Sequence, residues 1–244
     1  MKLRPAGLPG VFSPRGDCMK LSDRLLACAE LVEKGNSVAD IGTDHGYLPI
    51  YLLQNGIASN VIAADLREKP LQAARSNAEK FGVYENISFM LSDGLKSIPT
   101  DQIKTVICAG MGGTLIQNIL LGAKETWTPD YQLILQPQSD IPQFREFLWT
   151  NGFTIRREKL AMDNRFVYSV MDVRFGGGEP KGIGEYFLPE CLKADSLFQR
   201  YTHRVKEGIL ETLQNLKKAR TPQEEKIAYF TMALQEVERM ESES

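Results

Sequence analysis

One stretch constrains the fold of this chain more than any other: the run 38–49, which reads VADIGTDHGYLP. It begins with apolar residues typical of a buried strand and continues as a polar turn that contains Gly42 and Gly46. Glycine lets the backbone approach another group closely because it has no Cβ. A second apolar stretch, 61–64, is followed by Asp65, about 20 residues after the turn. A glycine turn after one strand and an acid at the end of the next are typical of α/β folds that hold a ribose.

Apolar strands and amphipathic helices alternate along most of the chain. This alternation predicts a largely parallel sheet that is covered by helices on both faces. Two longer strands follow and predict a closing hairpin, which places an antiparallel strand at one edge of the sheet. The predicted strands are 38–41, 61–64, 87–91, 105–109, 131–135, 153–159 and 166–175, and the predicted helices are 21–33, 47–54, 70–81, 115–121 and 141–151.

The pattern changes after 176–180, a GGGEP segment that we interpret as a linker. Beyond it, apolar residues recur at helical spacing on both sides of a turn near residues 221–222, which predicts an antiparallel helical hairpin or coiled-coil arm. We therefore expect a loose N-terminal extension (1–18), a sheet domain (19–175) and a C-terminal helical, coiled-coil-like domain (181–244). The apolar positions of the two helices are Leu197, Tyr201, Val205, Ile209, Ile227, Phe230, Leu234 and Val237.

Composition narrows the function classes. The chain is 43% hydrophobic and 25% charged, as is ordinary for globular proteins, and lacks an apolar run of the ~20 residues that a membrane span needs. Its four cysteines form no C-x-x-C pair, which argues against a zinc site or a disulfide framework. We expect a cytoplasmic monomer with no metal and no membrane partner. The net charge is −2, yet residues 181–220 carry eight Lys or Arg against five acids. These cations are either a solvated face or contacts to RNA.

Polar residues follow four of the predicted strands. Ligands of open parallel sheets bind over the carboxyl ends of the strands, so these groups should face one crevice. Asp65 can accept both hydroxyls of a ribose, and Asp93 can accept the exocyclic amine of an adenine. Either Asp40 or Asp44 could pair with an ammonium group. The predicted cofactor-binding residues are Asp40, Gly42, Thr43, Asp44, Gly46, Asp65, Leu66, Asp93, Gly94, Ala109 and Gly110.

The glycine spacing distinguishes two cofactors. Dinucleotides carry a pyrophosphate, which binds a G-x-G-x-x-G loop at a helix N-terminus. Here the spacing is Gly42-x-x-x-Gly46 and the loop contains Asp44, whose carboxylate would repel a pyrophosphate. S-adenosylmethionine (SAM) carries an ammonium and a sulfonium, both positive, and therefore suits an acidic loop better.

The whole arrangement resembles the class I SAM-dependent methyltransferases. More narrowly, 39–49 (ADIGTDHGYLP), 93–95 (DGL), 109–113 (AGMGG) and 133–137 (LILQP) are similar to the bacterial tRNA (adenine(22)-N1)-methyltransferase family, over roughly residues 21–173. The resemblance implies a Rossmann-like methyltransferase sheet with a coiled-coil-like C-terminal domain. It also implies SAM as cofactor and N1 of an adenine in tRNA as the methylated atom.

Methyl transfer to N1 of adenine asks mainly for positioning, because the nitrogen already has a free lone pair. The product base is cationic, so a carboxylate or carbonyl would stabilise the developing charge. We predict Asp44, His45, Tyr47 and Met111 as catalytic residues, with His45 and Tyr47 stacking on, or hydrogen-bonding to, an extruded base. Enzymes directed at exocyclic amines usually carry N/D-P-P-Y/F after the fourth strand, and this chain has AGMG at 109–112 instead.

Other interpretations remain open from the sequence. His45 could be an ordinary loop histidine, and Gln136-Pro137 could simply end a strand. The whole chain could be a SAM methyltransferase that acts on a protein or small molecule, or a binding module without catalytic activity that retains a nucleotide pocket.

Overall fold

The computed structural model describes residues 18–179, 181–219, 221 and 223–243, so the predicted extension 1–18 lies outside the described residues except for Cys18. The described strands are β1 (Ser37–Ile41), β2 (Asn60–Asp65), β3 (Ile87–Leu91), β4 (Thr105–Met111), β5 (Gln132–Pro137), β6 (Phe153–Asp163) and β7 (Phe166–Phe175). The described helices are α1 (Asp23–Leu31), α2 (Tyr47–Gln54), α3 (Glu68–Lys80), α4 (Gly113–Gly122), α5 (Ile141–Thr150), α6 (Ile183–Phe187), α7 (Phe198–Lys218) and α8 (Glu224–Ser242).

The strands form one sheet in the order β3-β2-β1-β4-β5-β7-β6. The first five pair in parallel, β7 runs antiparallel to β5, and β6 pairs antiparallel with β7 as the outermost strand. This arrangement confirms the predicted Rossmann-like α/β class and its antiparallel hairpin. The order reverses beside β1, whose neighbours are β2 and β4, so the turn after β1 lies at the switch point where open sheets bind ligands.

Alternate residues of the central strands pack on opposite faces of the sheet. In β1, Ala39 and Ile41 belong to the apolar cluster under α4 and α5, whereas Val38 belongs to the cluster under α1 and α2. Both faces are therefore covered, which explains why these strands are almost continuously apolar. The rigid sheet fixes where the strand ends, and hence the polar turns, lie.

Helix boundaries differ from the expectations in ways that follow from backbone chemistry. The first helix ends at Leu31, not at residue 33, and Ser22 occupies its N-cap position without a side-chain capping hydrogen bond. The third begins at Glu68, two residues before Pro70. Proline is tolerated in the first turn because the amide hydrogen that it lacks would have no helical partner there. No described helix is both long and apolar enough to cross a membrane.

The C-terminal helices pack against each other and against the sheet domain. The predicted helical hairpin is confirmed by α7 and α8, and Lys206, in the middle of α7, donates to Glu241, near the end of α8, at 2.7 Å. Their apolar faces share one buried cluster with Trp149 of α5 and Leu160 of β6. The turn residue Pro222 and the linker residue Pro180 lie outside the described residues.

A buried ion pair lies at this junction. Arg145 of α5 and Glu158 of β6 are both buried, and their Nη2 and Oε1 atoms are 2.5 Å apart. Arg145 also donates to the carbonyl of Tyr186 at 2.7 Å and to the hydroxyl of Tyr201 at 3.0 Å, while Ser169 donates to Glu158. The arginine thus joins the helical region to the sheet domain through hydrogen bonds to α6 and α7.

Candidate cofactor and catalytic site

A cavity of about 480 Å³ lies over the carboxyl ends of the central strands. Side chains from the turns after β1, β2, β3 and β4 meet there, as the sequence predicted. Its wall includes the predicted cofactor residues Asp40, Gly42, Thr43, Asp44, Asp65, Leu66, Asp93, Gly94, Ala109 and Gly110 and the predicted catalytic residues His45, Tyr47 and Met111.

The turn after β1 is anchored to the neighbouring strand. The backbone amides of Gly42 and Thr43 both donate to the carbonyl of Ala64, at 2.8 and 2.9 Å. Gly42 has φ = 75°, and a Cβ on it would lie 2.4 Å from the Cε of Met111. The positive φ favours glycine here, and a larger residue would also require the flexible end of Met111 to move.

Gly46 lies at the N-cap of α2 with φ = 72°, and a Cβ on it would lie 2.9 Å from the Cβ of Ala74 in α3. Unlike the other predicted glycines, it is not among the residues that line the cavity. Its conformation and the close packing of the turn on α3 account for a glycine at this position.

Two acids in the cavity are buried. Asp40 is 5% exposed, and its burial, together with the negative charge of Asp65, raises its pKa to about 6. Asp65 is 7% exposed, and its Oδ1 accepts a hydrogen bond from the backbone amide of Arg67 at 2.8 Å. Within the described residues no hydrogen bond to Oδ2 of Asp65 is formed. The predicted ribose acceptor therefore has an oxygen available for a ligand.

Asp93 differs from these two acids because it lies at the rim. Its side chain is largely exposed, and its Oδ2 accepts a hydrogen bond from Lys96 Nζ at 2.5 Å. One carboxylate oxygen is thus engaged with an exposed lysine, and the other accepts no hydrogen bond from the described residues.

The mouth of the cavity carries an aromatic pair. The rings of His45 and Tyr47 stack with their centroids 5.3 Å apart and an angle of 16° between their planes. Tyr47 is 42% exposed, and the carbonyl of His45 accepts a hydrogen bond from Asn77 of α3 at 2.9 Å. Asp44 precedes them in the left-handed region (φ = 50°), with Oδ2 3.7 Å from Nε2 of His45. The pair thus places aromatic rings in the wall of the cavity, with Tyr47 partly exposed.

Sequence reasoning missed Arg24 and left Gln136 undecided. Gln136 is buried, and its Oε1 accepts hydrogen bonds from the amide of Gly110 at 2.9 Å and from Arg24 Nη1 at 2.8 Å. Gln136 therefore holds the loop after β4 in place rather than simply ending a strand. Arg24 lines the cavity from α1, and neither its position before the first strand nor any nearby motif indicated this.

These residues fit SAM. The buried charges nearest the turn, Asp40 and Asp65, are both negative, which suits a cofactor with an ammonium group and a ribose and opposes a pyrophosphate. In the described part of the chain, no group of three or more His, Cys, Asp or Glu could hold a metal ion.

Comparison with known sequences identifies related proteins. A family model described as a methyltransferase domain matches residues 21–171. The tRNA (adenine(22)-N(1))-methyltransferase of Bacillus subtilis is 36% identical over 158 residues, which cover 65% of this chain and 66% of that protein, just under two thirds of its length.

Solved structures extend the likeness over nearly the whole described chain. The crystal structure of the B. subtilis M1A22 tRNA methyltransferase TrmK has a TM-score of 0.80 at 27% identity and covers 91% of this chain and 99% of that one. Streptococcus pneumoniae Sp1610, a putative tRNA (m1A22) methyltransferase solved in complex with S-adenosyl-L-methionine, has a TM-score of 0.78 at 27% identity with the same coverage. The chain therefore belongs to the methyltransferase domain family, and it is similar in sequence and in fold to bacterial tRNA (adenine(22)-N1)-methyltransferases.

Proposed function

We propose that this protein is a SAM-dependent tRNA methyltransferase that methylates N1 of adenine 22, acting as a monomer in the cytoplasm. The observation that carries the proposal is the cavity over the strand ends, where buried acids lie beneath an open aromatic pair. An acid-lined cavity suits a cationic methyl donor, and an exposed stacking surface beside it suits a base.

Three acids would hold the cofactor. The free oxygen of Asp65 would accept hydrogen bonds from the ribose hydroxyls, and Asp93 at the rim would accept one from the adenine amine. Asp40 would attract the ammonium group, because it is buried and lies at the start of the glycine turn. SAM supplies the methyl group on its sulfonium. Everything else required of the site is placement of the acceptor and exclusion of water.

The target base would be placed by the aromatic pair. Tyr47 and His45 would stack on the extruded adenine, as enzymes that act on bases commonly do. N1 needs no general base, since its lone pair is free. Asp44, beside His45, would stabilise the positive charge that develops on the ring. Met111, against Gly42, would form part of the wall between cofactor and base.

The test is nucleoside mass spectrometry of unmodified tRNA after incubation with the protein and SAM. We expect 1-methyladenosine, and we expect it to be lost when the transcript carries guanine at position 22. Methylation of the exocyclic amine, or methylation that persists on the guanine-22 transcript, would contradict the proposed atom or position. Absence of any tRNA methylation would contradict the proposed substrate.

A further inference from the structure

A second cleft, of about 420 Å³, opens beside the cofactor cavity. It lies between the loop that joins β5 to α5, the β6–β7 hairpin, and α7. Gln138 lines both the cavity and the cleft, so the two spaces are neighbours on one surface. Arg24 marks the same boundary, since it lines the cavity while its guanidinium lies 5.9 Å from the ring centroid of Tyr168, which lines the cleft.

Arg204 lines this cleft, and two further arginines lie at the nearby β6–β7 turn, where Arg200 donates to the carbonyl of Arg165 at 3.5 Å. Within the described part of the chain, Arg165, Arg200 and Arg204 form no ion pair with a carboxylate. The cleft's own carboxylate, Asp140, accepts a hydrogen bond from the hydroxyl of Ser139 at 2.9 Å. Arginines that do form ion pairs elsewhere are Arg24, Arg67, Arg145, Arg157, Arg174 and Arg239.

The unpaired arginines are arranged around an exposed ring. Phe166 is 40% exposed, with the guanidinium of Arg165 at 5.0 Å and that of Arg204 at 5.2 Å from its centroid. Arg204 is held in place by a hydrogen bond to the carbonyl of Val167 at 2.8 Å. Fixed guanidinium groups beside an aromatic face match a strand of nucleic acid, whose phosphates pair with arginine and whose bases stack on rings.

A glycine keeps the cleft open. Gly208 lines the cleft from the middle of α7, where glycine costs about 1 kcal/mol of helix stability relative to alanine. A Cβ on Gly208 would meet no atom within 4 Å. Packing within the protein therefore does not require a glycine at this position.

We propose that this cleft binds the RNA strand next to the target adenine, with a phosphate on Arg204 and a neighbouring base against Phe166. The inference rests on the proposed function and adds where the substrate strand runs after it leaves the catalytic cavity. Because Gln138 lines both the cavity and the cleft, the RNA strand would run from one into the other. The unpaired arginines favour an occupant with negative charge.

The experiment measures tRNA affinity by fluorescence anisotropy, SAM affinity by titration calorimetry and thermal stability on the same variants. Arg204→Glu should weaken tRNA binding by about tenfold or more, because repulsion replaces a charge-assisted hydrogen bond. The slope of log affinity against log salt should fall by about 0.7–0.9 for each phosphate that the variant no longer neutralises, which a purely structural defect would not produce. SAM affinity should stay unchanged.

Lys104→Glu is the matched control. Lys104 is exposed and its amide donates to the carbonyl of Ser37, so it lies at the amino ends of the strands, opposite the cavity. The same reversal of charge there should change tRNA affinity by less than about twofold.

Gly208→Leu tests the space in the cleft without changing any charge. We expect it to keep its thermal stability, because leucine favours a helix more than glycine does and a Cβ at this position meets no neighbouring atom, and yet to bind tRNA more weakly. Unchanged tRNA affinity in both Arg204→Glu and Gly208→Leu would overturn the inference. Because affinity is read separately from methylation, that result is distinguishable from a protein that binds tRNA without methylating it.

Discussion

Two buried charged sites of this protein, Arg145–Glu158 and Asp40, differ in whether the charge has an oppositely charged partner. At the junction with the C-terminal helices, Arg145 and Glu158 neutralise each other and are surrounded by further hydrogen bonds. Burial by itself lowers the pKa of Arg145, but the adjoining carboxylate raises it above its ordinary value, so the arginine stays charged. At the cofactor cavity, burial and the nearby Asp65 raise the pKa of Asp40 to about 6.

The difference indicates what each centre is for. A buried ion pair contributes to one specific packing arrangement, although an apolar replacement of both partners is often as stable. A buried carboxylate next to another carboxylate is destabilised until a cation arrives. We therefore interpret Arg145–Glu158 as structural and Asp40 as part of a binding site, and substitutions at the two should have opposite effects on stability and on SAM affinity.

The largest effect is expected at the paired centre. Arg145→Met leaves the carboxylate of Glu158 buried without its partner and should lower the free energy of unfolding by about 3–5 kcal/mol, measured by urea denaturation. SAM affinity should be retained at temperatures where the variant is folded, because Arg145 does not line the cofactor cavity.

Two further variants sharpen this result. Arg145→Met combined with Glu158→Leu should recover much of the loss, since no buried charge remains. Lys159→Met, on the same strand, removes a partly exposed pair with Glu30 and should cost less than about 1 kcal/mol. A loss at Arg145 as small as that at Lys159 would refute the distinction between the centres.

Substitution of Asp40 should raise stability and weaken SAM binding, the opposite of what is expected at Arg145. Its pKa is about 6 in the folded protein against an ordinary value of 3.8, so between these values the folded state binds the proton more tightly. The contribution of Asp40 to stability therefore falls as pH rises from about 4 to 6. Asp40→Asn should be more stable than the wild type by up to about 3 kcal/mol at pH 7, and this gain should vanish near pH 4.

Although Asp40→Asn should gain stability, it should lose affinity for SAM. Loss of a charge-assisted hydrogen bond to the ammonium should weaken binding by about 1.5–3 kcal/mol in Asp40→Asn. Wild-type affinity should fall as pH drops below about 6 while that of the variant stays flat, because only the ionised carboxylate attracts the cation. Asp172→Asn is the control: Asp172 is buried but paired with Arg157 at 2.6 Å, so the change should lower stability and spare SAM. A less stable Asp40→Asn with normal affinity would contradict this assignment.

The two centres also show where sequence reasoning succeeds. Asp40 was predicted to lie at the site because it is the second-last residue of a strand that precedes a glycine turn, and the position of strand ends follows from the apolar pattern alone. Arg145 was not predicted, because an arginine within the predicted helix 141–151 gives no sign of burial until the partners from β6 and α7 are in place. Gly46 illustrates the same limit: a glycine signal does not distinguish approach to a ligand from close packing of a turn on a helix.

Substitution of an exposed ion pair should change stability and SAM affinity least. Lys96 and Asp93 lie at the cavity rim with side chains 72% and 60% exposed, so water screens their attraction. Lys96→Met should change the free energy of unfolding by less than about 1 kcal/mol. It should also leave SAM affinity within about twofold, since Asp93 keeps both oxygens for the adenine amine.

Asp93→Asn is the informative counterpart of Lys96→Met. It removes the negative charge and one of the two acceptor oxygens, and it should weaken SAM binding by about tenfold at most, less than Asp40→Asn, because an exposed hydrogen bond competes with water. If Lys96→Met weakened SAM binding as much as Asp93→Asn does, the exposed pair would be acting as one binding element. The exposed pair would then matter for binding as much as a buried charge does. Burial would no longer explain why charged residues of this protein differ in their effects.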